Sequence, residues 1–241
     1  MLKIDARGKK VLFISDTHIP YSVKGYINFL KLIKAKFKPD IVIHIGDELD
    51  YHAVSFHNSD HELFSAGQEL DKAIIEIQEG LHKLFPKLYL LESNHGSLIF
   101  RKMKANGIPI RALKPLHELY ETPLWSWHEE ILLRTNRGWV YCHHGKSSAY
   151  GALVKALGVS CVQGHFHSKL EITNHKSILG TRQSMFVGCL ADRDSMAMAY
   201  AKNNLADFLN GTGGIKANGE FQLFHYHPKR DEPASSSTCE T

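Results

Sequence analysis

Five short segments of the sequence place aspartate, asparagine and histidine directly after apolar runs. In chain order they are Asp16-Thr17-His18, Gly46-Asp47-Glu48-Leu49-Asp50, Asn94-His95, His143-His144-Gly145 and Gly164-His165-Phe166-His167. Carboxylate and amide oxygens with imidazole nitrogens, and no thiolate, hold borderline metals such as Mn²⁺, Fe, Co²⁺, Ni²⁺ or Zn²⁺. The donors suffice for two ions, and two ions about 3.5–4 Å apart suit the hydrolysis of phosphoesters.

The elements before these segments predict that they share one location. Apolar runs at 11–15, 41–45 and 88–91 alternate with helical periodicity over about 23–37 and 62–85. This order predicts a β-α-β-α-β unit with a parallel sheet. Ligands of such sheets bind outside the carboxyl ends of the strands. We therefore expect the five segments to converge at one rim.

The second half of the chain is typical of strands. The candidate strands are 131–134, 138–142, 160–163, 170–173, 184–187 and 221–226. The segment 100–128, rich in proline, basic and aromatic residues, predicts an irregular excursion inserted into the domain, and the glycine-rich stretch 211–214 predicts a flexible turn. We expect one domain over 1–228 and a disordered polar tail over 229–241.

Composition excludes several classes of protein. The 241 residues are 43% hydrophobic and 22% charged, which is ordinary for a globular protein and excludes wholesale disorder. Four cysteines without a C-x-x-C pair argue against a cysteine zinc site. The net charge of +4 suits phosphate-bearing substrates but is too weak to indicate nucleic acid. The sequence starts without signal-peptide features and carries no membrane-length apolar run, so we expect a cytoplasmic protein.

The ordered set D-x-H, G-D-x-x-D, N-H, H-H-G and G-H-x-H resembles the calcineurin-like metallophosphoesterase superfamily over about residues 11–190. The resemblance implies an α/β fold, a four-layer α/β/β/α sandwich of two mixed sheets. It also implies phosphoester hydrolysis by a hydroxide held between two divalent metal ions. Mn²⁺ is the first choice of ion, with Co²⁺, Ni²⁺, Fe, Zn²⁺ or Mg²⁺ as alternatives.

The resemblance implies two ligand sets that share one carboxylate. One ion is assigned Asp16, His18 and His167, the other Asn94, His143 and His165, and Asp47 bridges both. In the fourth segment we prefer His143 to His144 because it comes first after the apolar run.

The same resemblance gives His95 the role of general acid for the leaving oxygen. The family pattern places a carboxylate after this histidine, whereas here Gly96 follows it. Asp50 is the candidate to hold the ring instead. The arginine that follows the second motif in phosphoprotein phosphatases is also absent, with His52 in its place, which disfavours that subgroup.

Residues that contact the substrate are less clear from the sequence. The candidates are His52, His57, Arg101, Trp125, Trp127 and His144. The tryptophans fit either a hydrophobic plug beneath a long loop or a stacking surface for a nucleobase. Arg101 fits either a phosphate clamp or a solvated surface position.

The favoured activity is a phosphomonoesterase that releases phosphate from nucleoside 5′-monophosphates, deoxynucleotides above all. The chain is similar to phage-encoded members of the superfamily, one of which removes the 5′-phosphate of deoxynucleoside monophosphates; a phage origin would place the protein in the host cytoplasm. A DNA exonuclease or a cyclic-nucleotide phosphodiesterase is the alternative. An inactive binding scaffold is disfavoured because every ligand position is filled. The expected partner is a small phosphorylated substrate and not a membrane, with nucleic acid and a homo-oligomer left open.

Overall fold

The computed structural model describes residues 1–56, 62–178, 180–201 and 207–228. Within these ranges the strands are β1 Leu2–Asp5, β2 Val11–Ile14, β3 Ile41–His44, β4 Leu88–Leu91, β5 Trp125–His128, β6 Ile131–Thr135, β7 Gly138–His143, β8 Ser160–Gln163, β9 Leu170–Ser177, β10 Gly180–Val187, β11 Gly211–Ile215 and β12 Phe221–His225. The helices are α1 Tyr26–Phe37, α2 Ala66–Glu76, α3 Leu98–Ala105, α4 Leu116–Leu119 and α5 Ala152–Leu157, and a π-helix, Ile77–His82, continues α2. Short 3₁₀ helices cover His52–Val54, Ile110–Ala112 and Met196–Ala201.

The strands form two mixed sheets of six strands each. Sheet I has the order β12-β11-β2-β3-β4-β5, with β2, β3, β4 and β5 parallel. Sheet II has the order β1-β6-β7-β8-β10-β9, with β7, β8 and β10 parallel. In both sheets, therefore, neighbouring strands end at the same edge and can bring the residues that follow them together.

Strand alternation divides the side chains of sheet I between two cores. On β2, Val11 and Phe13 belong to the core shared with sheet II, whereas Leu12 and Ile14 pack with α1 and the α2 region. On the outer face of sheet II, α5 packs on Tyr141 through Val154. The result is the expected α/β/β/α sandwich of two mixed sheets, with a much thinner helical layer on sheet II.

Residues 100–128 are more regular than the sequence indicates. They contain the end of α3, a 3₁₀ turn, α4 and the edge strand β5, which pairs in parallel with β4 from Leu88↔Trp125 to Leu91↔His128. The expected irregular excursion thus includes regular elements, because the alternation in Trp-Ser-Trp-His supports a strand once β4 offers it a partner.

The glycine-rich stretch is a strand and not a flexible turn. It forms β11, which lies between β2 and β12. A Cβ built on Gly213 would lie 2.7 Å from Cγ1 of Val187 and 2.8 Å from Sδ of Met185. The glycines are therefore needed because side chains of sheet II approach the backbone closely. The predicted tail at 229–241 lies outside the described residues, and no helix among those described is long and apolar enough to cross a membrane.

Candidate metal centre

In the first, second and fifth of the five segments the chain turns sharply after a strand. Asp16, His18, Asp47 and His165 all have positive φ values, between 47° and 65°. Non-glycine residues rarely adopt this conformation, and it costs about 1–3 kcal/mol per residue unless the surroundings impose it. Backbone hydrogen bonds impose it here, since the His18 amide donates to the Asp47 carbonyl at 3.0 Å. Strain of this kind concentrates at functional sites.

Gly164 allows the loops of the two sheets to meet. A Cβ at this position would collide with Oγ of Ser15 and would lie 2.6 Å from Oδ2 of Asp16. The next amide, of His165, donates to that same Oδ2 at 2.9 Å. The fifth segment, which follows a strand of sheet II, is thus hydrogen-bonded directly to the first segment, which follows a strand of sheet I.

The first ligand set is a buried cluster of Asp16, His18 and His167. Nε2 of His18 lies 3.1 Å from Nε2 of His167, and Oδ1 of Asp16 lies 3.2 Å from the latter nitrogen. Two ligands of one ion, each about 2.1 Å from it, lie about 3.0–3.4 Å apart. Nε2 of His18 and Oδ1 of Asp16 lie farther apart, at 3.9 Å, so two of the three pairs have the spacing expected for ligands of a shared cation.

Asp50 orients His18 of the first ligand set through the ring nitrogen that faces away from the other ligands. Its Oδ1 accepts a hydrogen bond from Nδ1 of His18 at 2.7 Å and lies 3.5 Å from Nδ1 of His95. Because His18 donates through Nδ1, the lone pair of its Nε2 is available to a metal, the arrangement found behind most ligating histidines. The sequence suggested Asp50 as a support for His95, and the structure brings its carboxylate closer to His18.

The second ligand set gathers Asp47, Asn94, His144 and His165. Nε2 of His144 lies 2.7 Å from Oδ1 of Asn94 and 3.1 Å from Oδ2 of Asp47. Nδ1 of His144 lies 2.9 Å from the carbonyl oxygen of Ile45, to which it donates, so Nε2 is the nitrogen that would ligate a cation, with release of its proton. The rings of His144 and His165 have centroids 5.0 Å apart.

The structure places His144, and not the preferred His143, in this cluster. Tyr141 and His143 occupy one face of β7, with their rings stacked at 6.2 Å on the outer side of sheet II. Cys142 points into the core between the sheets, and His144 continues that inward face. The preference for the first histidine is therefore corrected by strand alternation, a signal that the sequence already contained.

Asp47 joins the two sets. Its Oδ1 accepts the backbone amide of His95 at 3.0 Å, and this bond turns Oδ2 toward the ligands. Oδ2 lies 3.1 Å from Nε2 of His144 and 3.8 Å from Nε2 of His18. A single carboxylate oxygen thus faces both ligand sets, as a bridging position requires.

Burial and charge shift the ionisation of these groups in opposite directions. Burial opposes the ionisation of Asp47, but the nearby His144 and His95 outweigh it and hold the Asp47 pKa well below its usual range. Burial also disfavours charge on His144, yet Asp47 raises the His144 pKa to about 9. The carboxylates therefore remain anionic and attract cations, which suits a metal centre.

The donor set fits divalent ions. Carboxylate oxygen, amide oxygen and imidazole nitrogen are the ligands present, with no thiolate among the residues that converge here. This combination suits borderline divalent metals. Asp16, His18 and His167 would hold one ion, Asn94, His144 and His165 the other, and Asp47 would contact both.

Replacing His144 with alanine is expected to remove one metal ion, whereas His143→Ala should retain both. Loss of an outer partner of a ligand costs about 10–100-fold in metal affinity, and loss of the ligand itself should exceed that range. Metal content per chain after dialysis against limiting Mn²⁺ measures the effect. Two ions in His144→Ala and one in His143→Ala would reverse the assignment.

His95 lies beside the two ligand sets and forms a third group of closely spaced donor atoms with His18 and Asp50. Its Nδ1 donates to the backbone carbonyl of Asp50, and its ring stands edge-on to that of His18 at 4.6 Å. Burial disfavours its charged form, but Asp47 and Asp50 prevail and raise the His95 pKa. The ring is 18% exposed and is therefore accessible to a bound substrate while it favours the protonated form.

The other predicted contacts have varied surroundings. Trp125 is buried and donates through Nε1 to the carbonyl of Phe85, which matches the plug rather than a free stacking surface. Arg101 is exposed, and its guanidinium donates to the backbone oxygen of Asn94 at 2.6 Å. His52 starts a 3₁₀ helix two residues after Asp50. His57 lies outside the described residues.

Glu48 is not among the residues predicted from the sequence, because the second motif treats its position as variable. Its side chain is buried, and its Oε1 accepts the indole N–H of Trp127 at 2.9 Å. Burial raises the pKa of this carboxyl. The side chain borders a cavity of about 720 Å³ whose other walls include Trp125, Trp127 and Gly96. The one feature of the sequence that could have indicated a role for Glu48 is its position next to Asp47.

Comparison with known proteins places this geometry in a wider context. Among solved structures, the chain is similar to Vacuolar Protein Sorting 29 from Cryptosporidium parvum, with 15% identity, 90% of this chain and 96% of that chain covered, and a TM-score of 0.49. It is also similar to Yfce, a phosphoesterase from E. coli, with 10% identity, coverage of 90% and 100%, and a TM-score of 0.39. A putative diadenosine tetraphosphatase shows 10% identity, coverage of 93% and 96%, and a TM-score of 0.43.

These distant likenesses carry no argument about activity. A search of curated proteins found no significant match. The family model for calcineurin-like phosphoesterases, in contrast, matches residues 9–208. This range includes all five segments and both ligand sets. The chain belongs to the calcineurin-like phosphoesterase family.

Proposed function

We propose that this protein is a phosphomonoesterase that releases phosphate from nucleoside 5′-monophosphates, with deoxynucleotides favoured. The observation that carries the proposal is the shared carboxylate oxygen of Asp47, which faces both ligand sets. Two divalent ions held there would supply an activated water and neutralise the charge that develops on phosphate. The 5′-nucleotidase-like activity and the choice of Mn²⁺ form part of the proposal.

Different residues around the site would bind the phosphate and protonate the leaving group. The two ligand sets would hold the phosphate end of the substrate through the ions. His95, protonated and oriented by the Asp50 carbonyl, would donate its proton to the departing 5′ oxygen of the nucleoside. Arg101, which reaches the backbone of Asn94 from the exposed side, would contact a phosphate oxygen.

The nucleoside end of the substrate would lie in a cavity next to this centre. The aromatic-lined cavity begins at Glu48, one residue from Asp47, and is bordered by Ser93 and Gly96, which flank Asn94-His95. Its volume of about 720 Å³ lies within the range of ligand sites. A monomeric nucleotide would place its phosphate on the ions and its base in this cavity.

A competition assay tests the proposal. Protein loaded with Mn²⁺ receives a deoxynucleoside 5′-monophosphate and a single-stranded DNA oligonucleotide together, and free phosphate and DNA length are followed in parallel. We expect phosphate from the monomer and intact DNA, with all activity lost in excess chelator and restored by Mn²⁺ or Co²⁺.

Other outcomes of the assay contradict specific parts of the proposal. Shortened DNA with little free phosphate would identify the exonuclease alternative. In a parallel reaction with a cyclic nucleotide, hydrolysis of that diester without hydrolysis of the monoester would identify the phosphodiesterase alternative. Activity that persists in excess chelator would overturn the metal-dependent mechanism itself.

A further inference from the structure

The cavity beside the metal centre combines an apolar interior with one buried carboxyl group. Its lining includes Phe100, Leu116, Pro123 and Trp127, which offer flat or apolar surfaces to a ligand. Glu48 belongs to the same lining, although its side chain is buried. Sites for small molecules typically combine such walls with a few polar groups that set orientation and specificity.

One of the two carboxyl oxygens of Glu48 has no hydrogen-bond partner among the described residues. Its Oε1 accepts the indole N–H of Trp127, whereas Oε2 is buried and has no hydrogen-bond partner among the described residues. Both oxygens lie 3.6 Å from the position that a Cβ on Gly96 would take, so the glycine leaves space beside the carboxyl. An unpaired buried acceptor is costly, and a ligand that donates a hydrogen bond to it would remove the cost.

The unpaired oxygen limits which part of a ligand can enter. A carboxyl oxygen without a partner accepts a hydrogen bond, and the oxygens of a phosphate group are themselves acceptors that offer it none. The phosphate of a substrate would therefore stay with the cationic centre, while a neutral planar group that carries an N–H enters the cavity. Bases that leave their stack are commonly held by aromatic side chains and hydrogen-bonded along their Watson–Crick edge.

We infer that this cavity binds the base of the substrate and that Oε2 of Glu48 selects bases carrying an exocyclic amino group. The inference deepens the proposed nucleotide phosphatase activity and rests on it for the identity of the substrate. Adenine, cytosine and guanine each present an amino group that can donate to the carboxyl oxygen. Trp127, held by Oε1 of the same carboxyl, provides a stacking surface.

Thymine should be the disfavoured base. It has no amino group, and its ring N–H lies between two carbonyl oxygens. A carboxyl oxygen that approaches this N–H therefore meets an acceptor on either side. Failure to satisfy Oε2 should weaken the binding of thymidine by about tenfold relative to deoxyadenosine or deoxycytidine.

The binding of free nucleosides, followed by tryptophan fluorescence, tests the inference without any catalysis. The background is Trp139→Phe, which removes the one tryptophan outside the cavity. We expect deoxyadenosine and deoxycytidine to quench at about tenfold lower concentration than thymidine. In Glu48→Gln the amide would keep the bond from Trp127 and present an N–H at the former Oε2. The preference should then reverse toward thymidine.

Glu92→Gln is the matched control. Glu92 also borders the cavity but is exposed, so the same change of charge should leave the ranking of nucleosides unaltered. Equal quenching by all nucleosides, no quenching, or a ranking that Glu48→Gln leaves intact would each overturn the inference.

The corresponding ratios of kcat/KM for the 5′-monophosphates separate this inference from the proposed function. Hydrolysis of all monophosphates without base preference would leave the phosphatase in place and refute the role of Glu48. Selective binding of nucleosides without hydrolysis of any monophosphate would refute the phosphatase and leave the cavity as a base site.

Discussion

Asp47→Asn is expected to lower kcat/KM by at least about 10³-fold and to reduce the content of both metal ions. Oδ2 of Asp47 faces both ligand sets, and an amide cannot offer the same negative charge to two cations. Metal ions contribute several kcal/mol to catalysis of this kind, at 1.36 kcal/mol for each factor of ten. Metal analysis and steady-state kinetics on the same preparation measure both effects.

Asp71→Asn, on the exposed side of α2, is the matched control and should retain both activity and metal. Asparagine is nearly isosteric with aspartate and can still accept the His95 amide, so the fold should persist. A folded Asp47→Asn protein that keeps two ions and most of its activity would exclude the bridging role.

His95→Ala is expected to lower the rate on a nucleoside 5′-monophosphate by about 10²–10⁴-fold, the usual contribution of general acid catalysis. Metal content should stay near normal, because His95 contacts Asp47 through its backbone amide, which alanine preserves. The alkaline decline of the rate with pH that accompanies loss of an acidic proton should disappear in the variant. Rates across pH, with metal analysis, provide the measurement.

The chemistry of the leaving group supplies a sharper control for His95. p-Nitrophenol departs without protonation, so His95→Ala should slow p-nitrophenyl phosphate far less than a nucleoside monophosphate. His225→Ala, at an exposed position of β12, should change neither rate. Equal losses on both substrates, or loss of metal from His95→Ala, would refute the general-acid role.

The sequence predicted the parts of this protein that depend on local pattern. Apolar runs followed by Asp, Asn and His marked the ends of β2, β3, β4, β7 and β8, and parallel strands that end together predicted one rim. Three strands were not predicted from the sequence, and the reason is the same for each. β1, β5 and β11 lie at edges or contain glycine, and each needs a partner strand to be stable.

The tertiary structure decided which side chains meet. Alternation along β7 turns His144 inward and His143 outward, and the packing of the sheets brings His18 within 3.1 Å of His167, 149 residues later. It also showed that Asp50 supports His18 more closely than His95, and that Glu48 borders a cavity.

The difference between what the sequence predicts and what only the tertiary structure decides has a physical cause. Hydrophobic periodicity and residue type act over a few neighbouring residues, and these the sequence displays directly. Cavities, shared carboxylates and the orientation of rings arise where segments distant in the chain pack together, and the close packing of side chains between two sheets sets them. The sequence by itself therefore determined the family pattern and the donor residues, whereas only the folded arrangement selected His144 as the candidate ligand and placed an acidic, aromatic cavity beside the candidate metal centre.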